Sequence, residues 1–317
     1  MLTWLEDLPM IDHYCFAGRQ SFQNGFRALV AGGGTGDATI FLAEQLKHTD
    51  AQIVHLDMSQ ASIAIAQERA KIRGLTNISW MHDSLLNLPT LGLEKFNYIN
   101  CSGVLHHLRS YSVGELFDWL GDDANGHGMK GHGMHLAFTD VQRGRSPYLP
   151  RMVLGSKPPA MAAALAALPR RRQYEIAELL IGSIITHSLY VTRSAACTAP
   201  YGDADYVPLF FHEPLSGEIA AQVFGSQGGQ PFVLNHQHSG MAFKVNPGRY
   251  GPQILRLIDG EKSFANIFDA FRAAWKGQAA APDNAALFAD FADCYETLNA
   301  LDRLLLRHPV ARAKLKD

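Results

Sequence analysis

A doubly wound α/β fold with a mostly parallel sheet is the architecture predicted for the first part of this 317-residue chain. Three observations predict it. Short apolar runs alternate with amphipathic stretches from about residue 26 to 140. A glycine-rich turn follows the first run, and helical spacing begins directly after that turn.

The elements follow in order. "FRALVA" (26–31) has the continuous apolar character of a strand buried on both faces. After the glycines, "DATIFLAEQLKH" (37–48) spaces Ile40, Ala43 and Leu46 as a helix does. "QIVHLD" (52–57) is a second strand. Ser59 is placed to cap the helix "QASIAIAQERAKIRG", which should stop at Gly74. "NISWMHD" (77–83) and "KFNYINCSG" (95–103) supply the third and fourth strands. "YSVGELFDWLG" reads as a helix and "GMHLAFTD" (133–140) as the fifth strand.

Beyond residue 145 the pattern loosens. "PAMAAALAALPRRRQYEIAELLIG" predicts one or two helices broken near Pro169. "SIITHSLYVTRS" (183–194) and "DYVPLFFHE" (205–213) are β-rich and are expected to add an antiparallel edge to the same sheet. After about residue 230, "FVLNHQ" and "MAFKVN" suggest a hairpin. A helix with "QILRLI", a turn at Asp259-Gly260, and a helix presenting Phe264, Ile267, Phe268, Phe271 and Trp275 follow. A last helix should carry Leu287, Phe288, Phe291, Leu298, Leu301 and Leu305. A hairpin with three helices predicts a small α+β, winged-helix-like module over 229–317, beside a first domain over 1–228.

Composition excludes several classes. With 47% hydrophobic and 18% charged residues, the chain is globular rather than disordered. A net charge of −2 and the lone basic run Arg170-Arg171-Arg172 give no surface for nucleic acid. Cys15, Cys101, Cys197 and Cys294 show no CxxC spacing, so neither a disulfide framework nor a thiolate zinc site is expected. No signal peptide is legible, and no run approaches the ~20 apolar residues a membrane span needs. The expectation is a cytoplasmic protein without membrane or nucleic-acid partners.

Within "LVAGGGTGDATIFLAEQL" (29–46), no Gly-Lys-Ser/Thr follows, which removes the P-loop. The dinucleotide frame GxGxxG is damaged at one end in either register. A GxGxG frame is complete at Gly32, Gly34 and Gly36. Asp57 ends the second strand about 20 residues on, where a carboxylate can accept both ribose hydroxyls of a nicotinamide or an adenosyl ligand. Asp83 then follows the third strand, and "NYINCSGVLHHL" continues from the fourth.

This ordered series, over about residues 26 to 140, resembles the class I S-adenosylmethionine-dependent methyltransferases, which share a Rossmann-like sheet. The resemblance implies S-adenosyl-L-methionine as cofactor. Gly32, Gly34 and Gly36 would lie along its methionine part, and Asp57 would hold the ribose. Met58 would pack on the adenine, with Asp83 accepting the adenine amino group and Ser84 donating from the backbone. Asn100, Cys101 and Ser102 would offer carbonyls to the methionine amine. A non-catalytic cofactor-binding protein and an NAD-dependent oxidoreductase are the competing classes.

Methyl transfer needs the acceptor held in line and, where the acceptor carries a proton, a base. His106 and His107 follow the fourth strand, and an imidazole titrates near working pH. They are the candidate catalytic residues; the family also carries such histidines as packing features. His127, His132 and His135 match no familiar zinc spacing, and a glycine-rich loop is expected there. Tyr14, Phe16 and Arg19 are candidates for a lid, or for a helix packed on the sheet edge. Tyr148, Tyr190, Arg193, His212 and Glu213 are candidates for an acceptor pocket. The methyl acceptor would be a small molecule, peptide or protein. The stretch around "LIDG" loosely resembles peptide-binding modules of peptide-modifying enzymes. Otherwise the C-terminal module would form a homodimer or buttress the catalytic domain.

Overall fold

The computed structural model describes residues 7–104, 128–133, 159–169, 172–173, 176, 179, 187–192, 197–211, 216–226, 228–236, 241–276 and 280–313. By internal contacts the chain divides into two compact units: Met1–Ser146 with Thr186–Ala199 and Val310–Asp317, and Pro147–Ile185 with Pro200–Pro309.

The first unit is built on one six-stranded sheet. Its strands are β1 (Arg27–Ala31), β2 (Gln52–Asp57), β3 (Ile78–His82), β4 (Tyr98–Ser102), β5 (Gly128–Gly133) and β6 (His187–Thr192). Their order across the sheet is β3-β2-β1-β4-β5-β6. The first five are parallel, and β6 runs antiparallel to β5. The expected Rossmann-like sheet and its antiparallel edge at residues 187–192 are thus present. Strand order reverses between β1 and β4, so their carboxyl ends open a crevice where such folds bind ligands.

Alternation along the strands sorts the two faces. Leu29, Ala31, Val54, Leu56, Ile99 and Cys101 point to one face, where Leu88 and Phe96 complete a buried cluster. On the other face, α2 (Asp37–Gln45) and α3 (Gln60–Ile72) pack over β2. Ser59 caps α3 by accepting from Ser62 N, and Gly74 takes a positive φ just beyond its end, both as the sequence predicts.

The amino-terminal helix α1 (Leu8–Cys15) packs against β5 and β6. Tyr14 is buried and stacks on Tyr190 of β6 with centroids 4.4 Å apart. Phe16 is buried in an edge-to-face cluster with Phe22 and Phe26. The sheet-edge helix is therefore the correct reading, and Tyr14 and Phe16 form no lid. Tyr190, a candidate for an acceptor pocket, is buried in this stack: an aromatic pair gains more from burial against a neighbour than from facing solvent.

A strand occupies Gly128–Gly133, read from the sequence as a glycine-rich loop; of the strand expected over 133–140, residues 134–140 lie outside the described residues. Glycines have poor strand propensity, but pairing with β4 on one side and β6 on the other outweighs it.

The second unit contains α4 (Pro159–Ala166), β7 (Val207–Phe210), α5 (Gly217–Gly225), the hairpin β8 (Phe232–His236) and β9 (Met241–Val245), then α6 (Gly251–Leu257), α7 (Phe264–Ala273), α8 (Asn284–Ala300) and β10 (Leu304–Arg307). The expected hairpin and helices are found. However, β7 pairs antiparallel with β10 as a separate two-stranded sheet and adds nothing to the large one. Leu305 accordingly belongs to a strand, not to the last helix, because the chain turns at Leu301–Asp302. This pairing joins residues on either side of position 228. Phe264, Phe268, Phe288 and Phe291 form the aromatic core, beside Tyr201 stacked on Tyr295.

Replacing Phe16 by alanine should lower the unfolding free energy by about 3 kcal/mol or more, as for other core phenylalanines. Arg19→Ala, at an exposed position, should change it by no more than about 1 kcal/mol. Urea denaturation of the two variants checks the contrast between buried and exposed positions.

Candidate functional site

The site is built where β1 and β2 end. Gly32 N and Gly33 N both donate to Leu56 O, at 2.8 and 3.1 Å. Gly34 N donates to Asp57 Oδ2 at 2.8 Å. Three successive amides thus bind the turn to the last two residues of β2. Gly36 then caps α2 in a left-handed conformation, φ 91°, with Ala66 of α3 so near that a β-carbon would come within 2.7 Å. Only glycine meets both demands. Arg69 of α3 closes the outer side, with Nη2 2.6 Å from Asp37 and Nη1 2.7 Å from Thr35 O.

Each glycine of the predicted frame answers a different need. A β-carbon on Gly32 would lie 2.3 Å from the side chain of Val104, which follows β4 across the reversal point. One on Gly34 would meet no atom of the described residues within 4 Å. The turn is therefore packed from beneath at Gly32 and open at Gly34, beside the Asp57 carboxylate. A ligand can approach the backbone there.

Asp57 is half-buried, and its oxygens each take one backbone amide, Gly34 N on Oδ2 and Ser59 N on Oδ1 at 2.8 Å. A carboxylate oxygen accepts more than one donor, so both keep acceptor capacity. Met58 is exposed. Asp83 lies just past β3, its amide on Asp57 O at 3.1 Å. Asp83 Oδ1 accepts from Ser84 N and from Asn87 Nδ2, each at 2.7 Å. The Ser84 amide is therefore engaged within the protein. Glycine turn, Asp57 and Asp83 sit on three adjacent carboxyl ends of the sheet.

Asn100, Cys101 and Ser102 close β4, with Ser102 Oγ donating to Asn100 Oδ1 at 3.0 Å. Cys101 is fully enclosed, and burial pushes its thiol up to about 12. It remains a protonated core residue, not a nucleophile. His106, His107, His127, His135, Tyr148, Arg193, His212 and Glu213 lie outside the described residues, as does the side chain of His132. Among the described residues no cluster of histidine, cysteine and carboxylate side chains is arranged to hold a metal. No described helix is long and apolar enough to cross a membrane.

Sequence reasoning missed His55, Thr39 and Trp80. His55 is completely buried on β2, its Nδ1 2.8 Å from Thr39 Oγ1 and its ring 4.9 Å from that of Trp80. The available signal was a histidine at an inward position of an otherwise apolar strand.

These features make up the candidate site of a Rossmann-like domain: a glycine turn, with acids at the ends of the second and third strands. Comparison with known proteins narrows the class. Residues 28–121 match the family model described as a methyltransferase domain. A protein of Synechococcus is 38% identical over 107 residues, which is 33% of this chain and 25% of that protein. The demethylmenaquinone methyltransferase of Geobacillus kaustophilus is 29% identical over 110 residues, 35% of this chain and 43% of that enzyme. The chain thus spans less than half the length of these curated relatives. The structure of PKMT2 from Rickettsia typhi in complex with AdoHcy superimposes with a TM-score of 0.56 at 13% identity, covering 92% of this chain and 74% of that one. Residues 28–121 of this chain are thus a methyltransferase domain on a Rossmann-like sheet.

Burial lowers the pKa of His55, and the neighbouring Asp57 carboxylate only partly offsets this. The unfolded chain therefore takes up the proton first. Stability should be insensitive to His55 above the ordinary value of 6.5 and fall as pH drops below it, levelling once the folded ring is also charged. Denaturation of wild type and His55→Gln across this range checks the sign: the variant lacks that loss.

Proposed function

We propose that this protein is an S-adenosylmethionine-dependent methyltransferase acting on an oxygen, nitrogen or carbon atom of a small molecule, peptide or protein side chain. One coincidence carries the reading. The span matching the methyltransferase family is the span whose glycine turn, Asp57 and Asp83 converge on the sheet's reversal point. The demethylmenaquinone methyltransferase among the relatives and the AdoHcy complex among the related folds support the same cofactor.

When bound, S-adenosylmethionine supplies a methyl group on a cationic sulfur, already electrophilic enough for in-line displacement. The protein's part is binding, orientation and removal of a proton. Gly32, Gly34 and Gly36 would lie along the methionine portion, with the backbone approachable at Gly34. Asp57 would accept the ribose hydroxyls on its remaining lone pairs, and the exposed Met58 would cover the adenine. Asp83 would accept the adenine amino group, with Ser84 and Asn87 fixing its carboxylate. Asn100, Cys101 and Ser102 would meet the methionine ammonium through backbone carbonyls. His106 or His107, next in sequence after β4, would take the proton from an acceptor that carries one. Residues 229–317 would present the acceptor, buttress the first domain or form a homodimer.

Calorimetry tests the assignment. Wild type should bind S-adenosylhomocysteine and give no heat with NADH. Asp57→Ala should weaken S-adenosylhomocysteine binding by about tenfold or more, since it removes charge-assisted hydrogen bonds. Tight NADH binding without the adenosyl ligand, or an unchanged affinity in Asp57→Ala, would sink the reading.

A further inference from the structure

The proposed reaction gives no task to His55, yet this residue lies directly beneath the cofactor turn. It stands two residues before Asp57 on β2. Its register partners are Val30 of β1 and Trp80 of β3. Thr39 of α2 holds Nδ1, while Nε2 has no hydrogen-bond partner among the described residues. A buried imidazole with one nitrogen unsatisfied costs stability relative to an apolar residue of similar shape. Its position shows what it does instead. A β-carbon on Gly33 would come within 2.4 Å of the ring atoms Cε1 and Nδ1, and 3.0 Å of Nε2. Gly33 is thus in close contact with the ring, and the next amide along, Gly34 N, reaches Asp57.

We propose that His55 is a positioning residue for the adenosyl site. Its ring sets the height at which the turn crosses β2, so that Gly34 engages Asp57, and it makes glycine compulsory at position 33. The GxGxG frame assigns no role to Gly33, which occupies a variable place between two fixed glycines. In this chain the requirement comes from the strand below. A methyl at position 33 would have to lift the turn or displace a ring held by Thr39 on one side and Trp80 on another. Either movement separates Gly34 from the carboxylate. The inference rests on the methyltransferase reading for the identity of the ligand.

A double-mutant cycle on the full chain, read as S-adenosylhomocysteine affinity by calorimetry, tests it. Gly33→Ala should weaken binding by about tenfold or more in the wild-type background and by less than about threefold on His55→Ala, where the methyl has room. His55→Ala alone should weaken binding severalfold. His55→Gln, which refills part of the space and can still bond Thr39, should restore most of that loss. Thermal melting establishes that each variant is folded. If His55→Ala is not, His55→Asn, shorter than the imidazole and able to keep the Thr39 bond, carries the same cycle. Equal penalties for Gly33→Ala in the two backgrounds, or unchanged affinity in a variant shortened at His55, would overturn the proposal. A wild type that binds no S-adenosylhomocysteine would overturn the functional reading as well. Wild-type binding with additive penalties would overturn only the role of His55.

Discussion

The hydrogen bond from Gly34 N to Asp57 is the interaction on which the site depends. It ties a turn that has no side chains of its own to the last residue of the neighbouring strand. A run of glycines is costly to order, because glycine has the most conformational freedom to lose. The cost is offset by bonding successive amides to fixed acceptors: Leu56 O takes two and Asp57 the third. The same carboxylate receives Ser59 N, which begins the next helix. One acid therefore organises the turn before it, the helix after it and the surface offered to a ligand.

The packing around that bond is asymmetric. Beneath the turn, Val104, His55 and Ala66 leave no room for a β-carbon at positions 32, 33 and 36. At Gly34 a β-carbon would meet none of the described residues. Packed interiors resist deformation, so a turn supported from below presents its backbone at a fixed height. A ligand meeting a backbone already held in place would bind with less ordering cost than one that must order the turn.

Much of this was legible in the sequence, and the reasons are local. Buried parallel strands are continuous apolar runs, and β1 to β4 were found where "FRALVA", "QIVHLD", "NISWMHD" and "KFNYINCSG" placed them. Ser59 and Gly74 marked the ends of α3 because caps are chemical demands of the helix itself. Asp57 and Asp83 were visible as polar residues at strand ends. The second unit was less legible. The β-rich run around Val207–Phe210 could join any available edge, and its partner, Leu304–Arg307, lies almost a hundred positions away. Leu305 was assigned to a helix because a short apolar run fits either period.

By itself the sequence determined the class of domain, the positions of its first four strands along the chain, and which residues end them. Those features are written in periodicity, capping residues and a glycine frame, all of which act over a few neighbouring positions. Tertiary structure alone decided that Tyr14, Phe16 and Tyr190 are core residues, that β5 forms at Gly128–Gly133, and that β7 pairs with β10. It also decided that His55 lies under Gly33. Each of these is a contact between segments distant in sequence, and local spacing carries no information about which surfaces will meet.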